Sequence, residues 1–558
     1  MMRTTSMNHF SLKKITKIAA IVGGSLGLSL AQAASIDTGN SDIRLSWDNT
    51  IKYSAGIRLK NADSNVASST PMGLQSNTND GDLNFGKGDL ISNRLDLYSE
   101  IDFRYKGKYG FRLSGAAWYD DVYNGSNDNT SDPKYSNSRS VGVGEFTNET
   151  EKLHGRKAEL LDAFVYGQFS VAKKSVNLKA GLFTQLYGES LFFGSNGVAA
   201  AQTSLDLVKA LSVPNSEFKD VARPIGQVSG QIQFNADLTF GAYYQLEWRK
   251  ARLPAAGSYF SFADFVDEGG ESLILDADNG VALLRGEDIE ASDSGQFGFQ
   301  VKLASGNAEY GFYGAQFHDK MPQFYARPGV NPVSPTLPGD YVQVFGENIR
   351  LLGLSASTLL GSANVGLEMS FRDNMPLVAT GNLVVLPGND IADGDDNAAF
   401  PVGKTMHLNL SVLNILSESA VWDAATFIGE LAFNRLLSVS DNKDQLDPSA
   451  TRDATAIQFS FTPDYFQVLP GLDLQVPISV GYGISGRSAV NGVLFPSEHG
   501  GNVSVSLKGD YKRTWRMAVN YNHYTGSSDS VIDPTGALTY KNFLGDRDNV
   551  SFSVQRTF

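Results

Sequence analysis

No cysteine occurs among the 558 residues, which excludes a disulfide framework and thiol chemistry. Long hydrophobic runs are also missing. Charged residues interrupt the apolar stretches and the mean hydropathy is negative. Nothing reaches the roughly 20 consecutive apolar residues of a spanning helix. A chain of this kind that crosses a membrane must do so as a closed β-barrel, the other arrangement that pairs every backbone N–H and C=O. Positive charge is short, with 46 Lys and Arg against 60 Asp and Glu. That balance argues against a nucleic-acid partner, which needs basic surfaces. The six histidines, His9, His154, His318, His407, His499 and His523, are scattered. Beyond the N-terminal leader there is no Gly-x-Ser-x-Gly elbow, His-Glu-x-x-His helix, phosphate loop or dinucleotide-binding strand-turn-helix. The chain is therefore expected not to be an enzyme and to need no cofactor or metal. No Pro- or Ser-rich linker interrupts it, which favours one continuous domain.

Residues 1–33 read as a secretory signal peptide. Lys13, Lys14 and Lys17 form its basic region, residues 18–30 its short apolar core, and Ala31-Gln32-Ala33 the small-x-small cleavage pattern. Residues 34–558 would be the exported domain.

What that domain does contain is alternation. In the last residues, Val550, Phe552, Val554 and Phe558 fall on one side of a strand, and Ser551, Ser553, Gln555 and Thr557 on the other. The same pattern sets Leu238, Phe240, Ala242, Tyr244, Leu246 and Trp248 against Thr239, Gly241, Tyr243, Gln245, Glu247 and Arg249. An apolar lipid face and a polar lumen face produce this period of two. About 18 segments have barrel-strand length. Short connections near Gly107, Lys173, Asn235, Gly306, Leu359, Ser417 and Gly509, and a medium one near Leu469, alternate with long ones near 61–90, 123–158, 187–224, 251–292, 319–340, 373–402, 435–451, 486–499 and 525–547. Short periplasmic turns and long extracellular loops are the outer-membrane pattern. The expected fold is all-β, a transmembrane antiparallel barrel of about 18 strands. Trp248, Trp515 and Tyr105, near strand ends, are expected in aromatic girdles.

Arg94, Glu100, Asp102, Arg104, Glu247, Arg249, Lys302, Glu368, Arg372 and Glu430 fall on the expected lumen faces. Charges of both signs there suit interstrand pairs of about 0.2–1 kcal/mol each. A selectivity surface for a polar solute is the sharper alternative.

The loop 187–224 differs from the others. It carries Leu191, Phe192, Phe193, Leu205, Leu207 and Leu211, an unwelcome apolar patch if left on the cell surface. Ser204 is a candidate N-cap of a helix ended by Pro214. The loop is expected to fold inward as a partly helical plug or constriction, with Glu189, Ser190 and Arg223 as the polar groups of an apolar ligand site. Loop 251–292 is a second candidate through Tyr259, Phe260, Phe262 and Phe265. The acidic tip Asp393-Gly394-Asp395-Asp396-Asn397 departs from calcium-loop spacing and reads as solvated. A hydrolase would need a Ser–His pair, for which only His523 with Ser551 or Ser553 is available.

Four stretches carry a family resemblance: Asp80-Gly81-Asp82-Leu83-Asn84-Phe85 with Gly88-Asp89-Leu90-Ile91-Ser92; residues 155–167; Tyr187-Gly188-Glu189-Ser190; and Phe543-Leu544-Gly545-Asp546-Arg547-Asp548. On these the chain resembles a large proteobacterial outer-membrane family catalogued as a domain of unknown function. It departs from that family after Ser190, where Asn196-Gly197 lacks the usual following proline. The resemblance implies a setting among systems that handle hydrophobic compounds, with periplasmic and inner-membrane transporter partners, and a distant likeness to FadL-type transporters.

The resulting expectation is a monomeric outer-membrane channel or transporter for hydrophobic or amphipathic small molecules. It would sit in outer-membrane lipid and lipopolysaccharide, with a hydrophobic small molecule as ligand. The alternatives are a water-filled specific porin for small polar solutes, an outer-membrane lipid hydrolase, and an anchor for a periplasmic transport complex.

Overall fold

The alternating segments pair edge to edge and close on themselves. The computed structural model describes residues 34–212, 221–388 and 391–558. Its main sheet holds twenty hydrogen-bonded pieces. Ala34–Ile36 only pairs beside the foot of the first strand, and Leu472–Gln475 with Ile478–Ser485 are two halves of one strand, so the wall is a closed barrel of 18 antiparallel strands. In chain order these are β1 (Ile43–Arg58), β2 (Leu90–Tyr105), β3 (Tyr109–Asp120), β4 (Arg156–Val171), β5 (Lys174–Phe183), β6 (Ile225–Gln233), β7 (Leu238–Gln245), β8 (Phe297–Ser305), β9 (Ala308–Phe317), β10 (Ile349–Leu360), β11 (Ala363–Pro376), β12 (Val402–Leu416), β13 (Ala424–Asp441), β14 (Asp453–Leu469), the split β15, β16 (Gly501–Tyr511), β17 (Trp515–Thr525) and β18 (Asn549–Thr557). Closure is made by β1, where Ser54 lies opposite Arg94 of β2 and Ser553 of β18. With no free edge, every strand ladder is paired, as lipid requires.

The two faces separate by polarity. Leu97, Leu354, Leu367, Leu410, Leu507 and Val519 stand exposed on the outside, whereas Glu368, Asn409, Ser506 and Asn520 are buried inside. Val519 is 46% exposed and its neighbour Asn520 only 7%. Tyr105, Tyr109, Phe169, Tyr310 and Tyr511 are exposed near the short-turn end, where an aromatic girdle meets headgroups. Among the described residues no helix is long and apolar enough to cross a membrane. An apolar outer surface on a closed, edge-free barrel is stable only in a bilayer, and barrels of this design span the Gram-negative outer membrane.

The turns differ locally from expectation. The β16–β17 turn lies at Lys512-Arg513-Thr514, not at Gly509, which is paired within β16 opposite Met517. The β10–β11 turn lies just past Leu359, at Gly361-Ser362.

The long loops form a cap. Ser272–Asp276, Val281–Arg285, Gly339–Val344, Gln323–Pro328 and Val384–Val385 make a five-stranded sheet from three different loops. Tyr325, Val342, Val344 and Phe400 form one of its cores. Trp248 belongs here rather than to a girdle. It is 8% exposed and packs edge-on against Phe345 at 4.6 Å, because β7 ends at Gln245.

Candidate functional site

The loop between β5 and β6 turns into the barrel, and the wall receives it on a polar patch. Alternation places Glu368 and Arg372 of β11, His407, Asn409 and Ser411 of β12, and Glu430 and Asn434 of β13 on the inner face, and register sets Glu368 opposite Asn409 and Ser411 opposite Glu430. Glu430 accepts from Ser190 Oγ (2.8 Å), Leu191 N (3.1 Å), Phe193 N (2.8 Å), Phe192 N and Asn409 Nδ2 (2.7 Å). Glu368 accepts from Glu189 N (2.6 Å) and Val198 N (2.5 Å). Arg372 Nη2 donates to the carbonyls of Ser195 and Gly197, both at 2.9 Å. The Asn196 side chain bridges Asn409 Oδ1 (2.7 Å), His407 Nδ1 (3.0 Å) and Asn434 Nδ2 (3.3 Å). Carboxylates collecting several backbone N–H groups make strong, charge-assisted anchors. Two glycines are required by this clasp. A Cβ on Gly188, whose φ is +100°, would meet Glu368 Oε2 at 2.2 Å, and one on Gly197 would meet Oε1 at 2.5 Å.

Several expected roles change as a result. Glu368, Arg372 and Glu430 point inward but do not line open lumen, because the inward loop covers them (1%, 3% and 2% exposed). The Ser190 hydroxyl is engaged by Glu430 rather than free for a ligand. Ser204 does not cap a helix. It donates to the Lys250 carbonyl at 2.7 Å and pairs in a two-residue strand, and Asp206 accepts from Lys209 N at 2.9 Å to cap the helix Leu207–Ser212. Pro214 lies outside the described residues. Among the described residues the carboxylate of Glu189 reaches only Lys302, at 3.5 Å.

Two cavities flank this loop. The first, of about 530 Å³, lies toward the long loops. It is lined by Phe192, Phe193, Leu205, Leu207 and Leu211 of the inward loop together with Leu253, Phe262, Phe324, Met375, Val490, Phe495, Leu538 and Phe543. Lys320, Arg372 and Lys541 are the cations on its wall. Burial pushes the Lys320 amine down to about 7, and its Nζ donates to Gln296 Oε1 and the His318 carbonyl, both at 2.8 Å. The second cavity, of about 1040 Å³, runs toward the short turns and carries many more charged side chains. Lys52, Arg94, Asp96, Trp118, Glu159, Asp206, Arg223, Arg249 and Arg252 are among its walls. The helix Leu207–Ser212 divides the two by ordinary helical spacing. Leu207, Ala210 and Leu211 face the apolar chamber, and Val208, Lys209 and Ser212 face the wet lumen.

The other expected lumen charges are paired, mostly with a residue two positions away along the chain rather than between strands. Arg94 binds Asp96 (2.6 Å), Arg104 and Arg112 flank Asp102 (2.7 and 3.1 Å), and Arg249 binds Glu247 (3.3 Å). Glu100 accepts from Tyr98 Oη at 2.6 Å. In the second loop, Phe262 joins the apolar chamber, Phe265 packs on Phe324 and Tyr341, and Tyr259 is buried near the barrel seam. That seam joins charges of two family-like stretches, Asp82 with Asp546 and Arg547, to Arg58 of β1. Arg547 binds Asp82 (2.6 Å), and Arg58 binds Asp82 (3.2 Å) and Asp546 (3.1 Å), all nearly without exposure. Burial and the Asp82 charge push Asp546 up to about 7. His523 does not meet Ser551 or Ser553. It lies next to Asp548 (2.7 Å) and stacks beside the outward Tyr521, while Ser551 accepts from Asn520 on the lumen side. The Asp393 tip folds on itself, accepting from Asp395 N (3.0 Å) and Asn397 N (3.2 Å).

The closed wall, greasy outside and polar inside, defines a Gram-negative outer-membrane β-barrel. The chain belongs to the family described as protein of unknown function (DUF1302), whose model matches residues 15–558. No curated protein matches it. Among solved structures it is similar to OccAB3 of Acinetobacter baumannii (10% identity, TM-score 0.41, 92% of this chain and 99% of that one). It is also similar to OccAB1 of the same organism (11%, 0.40, 95% and 99%) and to OpdK of Pseudomonas aeruginosa with vanillate (10%, 0.39, 92% and 98%). At these scores the likeness carries no argument about cargo, and the FadL-type likeness finds no support in these neighbours.

Proposed function

We propose that this outer-membrane barrel is a channel for hydrophobic or amphipathic small molecules. The observation that carries the reading is the apolar chamber of about 530 Å³ above the inward loop. Its volume suits a small organic molecule, and a wall that is apolar over most of its area, with polar groups among it, is the usual design of a ligand pocket. Capture would be driven by apolar burial, about 25 cal/mol per Å². Cargo would enter from the cap, pass the divider helix and leave through the polar lumen.

The test replaces Phe192 and Phe193 with Asp, and separately Phe262 with Asp from the other loop. Each is expected to abolish uptake of a greasy solute while the barrel keeps its heat-modifiable migration on a gel. Unchanged uptake in both would sink the reading. A second reading, a specific porin for small polar solutes, is favoured by the wet lumen of about 1040 Å³. Single-channel conductance separates the two. A steady large conductance would favour the porin, and near-silence from inserted protein the apolar-cargo channel.

A further inference from the structure

We infer that the channel selects amphipathic anions and that Arg223 reads the anionic headgroup. The inference rests on the apolar-cargo reading and adds to it the chemistry of the head.

Arg223 stands where the two cavities meet. Ala222–Arg223 pairs with Ser204–Leu205, Leu205 opposite Ala222 and Ser204 opposite Arg223. Leu205 and Val221 line the apolar chamber, and Val221, Ala222 and Arg223 line the wet lumen. Extended residues rise about 3.3 Å each, so the wall changes from apolar to cationic within about 7 Å. A molecule with its tail in the chamber brings its head to this guanidinium.

Among the described residues the guanidinium is only partly engaged. Nη1 donates to the Lys250 carbonyl at 2.9 Å. Among the described residues it has no carboxylate partner within ion-pair distance; Asp206 and Glu159 act on it only from farther off. Both of those acids are held by Arg252 instead, Asp206 at 2.7 Å and Glu159 through Nη2, while Arg249 is held by Glu247 at 3.3 Å. A half-buried cation with no ion-paired partner among the described residues gains from an arriving anion. Its planar fork matches a carboxylate or another oxyanion. A neutral alcohol would gain one weaker hydrogen bond, and a quaternary ammonium would be repelled by Arg223 with Arg249 and Arg252 around it.

The experiment uses the mature protein in nanodiscs, with empty-disc blanks, and radiolabelled dodecanoate, dodecanol and dodecyltrimethylammonium below their micelle concentrations. Dodecanoate is expected to bind at least about tenfold more tightly than dodecanol, the scale of a hydrogen-bonded charge, and the ammonium more weakly than either. Arg223→Gln should bring dodecanoate down to dodecanol while dodecanol binding persists. Arg223→Lys, which keeps the charge and loses the fork, should retain part of the preference. Equal binding of acid and alcohol by the natural protein, or an undiminished preference in Arg223→Gln, overturns this inference and leaves the apolar-cargo reading standing. Binding of none of the three above blank overturns that reading, and the inference with it.

Discussion

Replacing Glu430 with alanine should release the inward loop and widen the channel. In the native wall this carboxylate accepts the N–H groups of Leu191, Phe192 and Phe193 together with Ser190 Oγ. Alanine leaves three backbone donors facing a dry cavity. An unsatisfied buried donor costs about 1–3 kcal/mol, so a loop that stayed in place would carry about 3–9 kcal/mol of penalty from the same principle. Lifting away and hydrating those groups relieves it. The remaining anchors include Glu368 and Arg372, which hold the flanking residues 189, 195, 197 and 198, so release should be local at first and wider when Glu368 is also replaced. The assay is single-channel conductance in a planar bilayer. Conductance should rise stepwise from the natural protein to Glu430→Ala to the double variant, with more open-channel noise. Glu418→Ala on an exposed short turn serves as the control. Unchanged conductance in the double variant, in protein that migrates as a folded barrel, would refute the view that these carboxylates hold the constriction.

Three other expectations follow the same logic. Gly188→Ala places a Cβ 2.2 Å from Glu368 Oε2 at a φ of +100°, and should raise conductance as Glu430→Ala does; a silent phenotype would mean that the clasp yields easily. Arg547→Ala removes one of the two cations on buried Asp82, at a cost of about 3–5 kcal/mol; the loops 59–89 and 526–548 should become protease-sensitive while the barrel stays heat-modifiable, and resistance equal to the natural protein would contradict the assigned role. In the cap, burial pushes Asp80 up to about 6, and burial with the neighbouring Asp80 pushes Asp264 up as well. The folded state therefore holds more protons than the unfolded one between about pH 4 and pH 6. Stability in that region falls as pH rises through this window, so hydrogen exchange at residues 79–85, corrected for its intrinsic pH dependence, should be slower at pH 5 than at pH 8. Asp264→Asn should flatten the difference, and equal protection at both pH values in the natural protein would be the contrary result.

Much of the wall was legible in the linear chain because a barrel imposes a local rule. Each strand must alternate, so Leu97 against Tyr98 or Val519 against Asn520 declares its face without knowledge of any partner. The inward loop was legible for a similar reason, since Phe192, Phe193, Leu205, Leu207 and Leu211 have no stable place on a wet surface. They do line a cavity. The helix cap was misassigned because Ser204 and Asp206 are both good caps, and the choice was made by Ser204 pairing opposite Arg223. Trp248 looked like a girdle residue because alternation runs past Gln245, yet the strand ends there and the chain enters the cap.

The sequence by itself determined the outer-membrane barrel, its approximate size and the presence of an apolar inward loop, because each follows from the residue period and from what lipid and water tolerate. Only the tertiary structure decided what the inner charges do. Glu368, Arg372 and Glu430 carry the same alternation signature as Arg94 or Glu247, and they became anchors because a loop far away in sequence lies on them. The five-stranded cap sheet and the Arg58–Asp82–Arg547 seam likewise join residues from different loops. Such contacts depend on which loops meet after the barrel has closed, and a pattern confined to neighbours along the chain holds no record of that meeting.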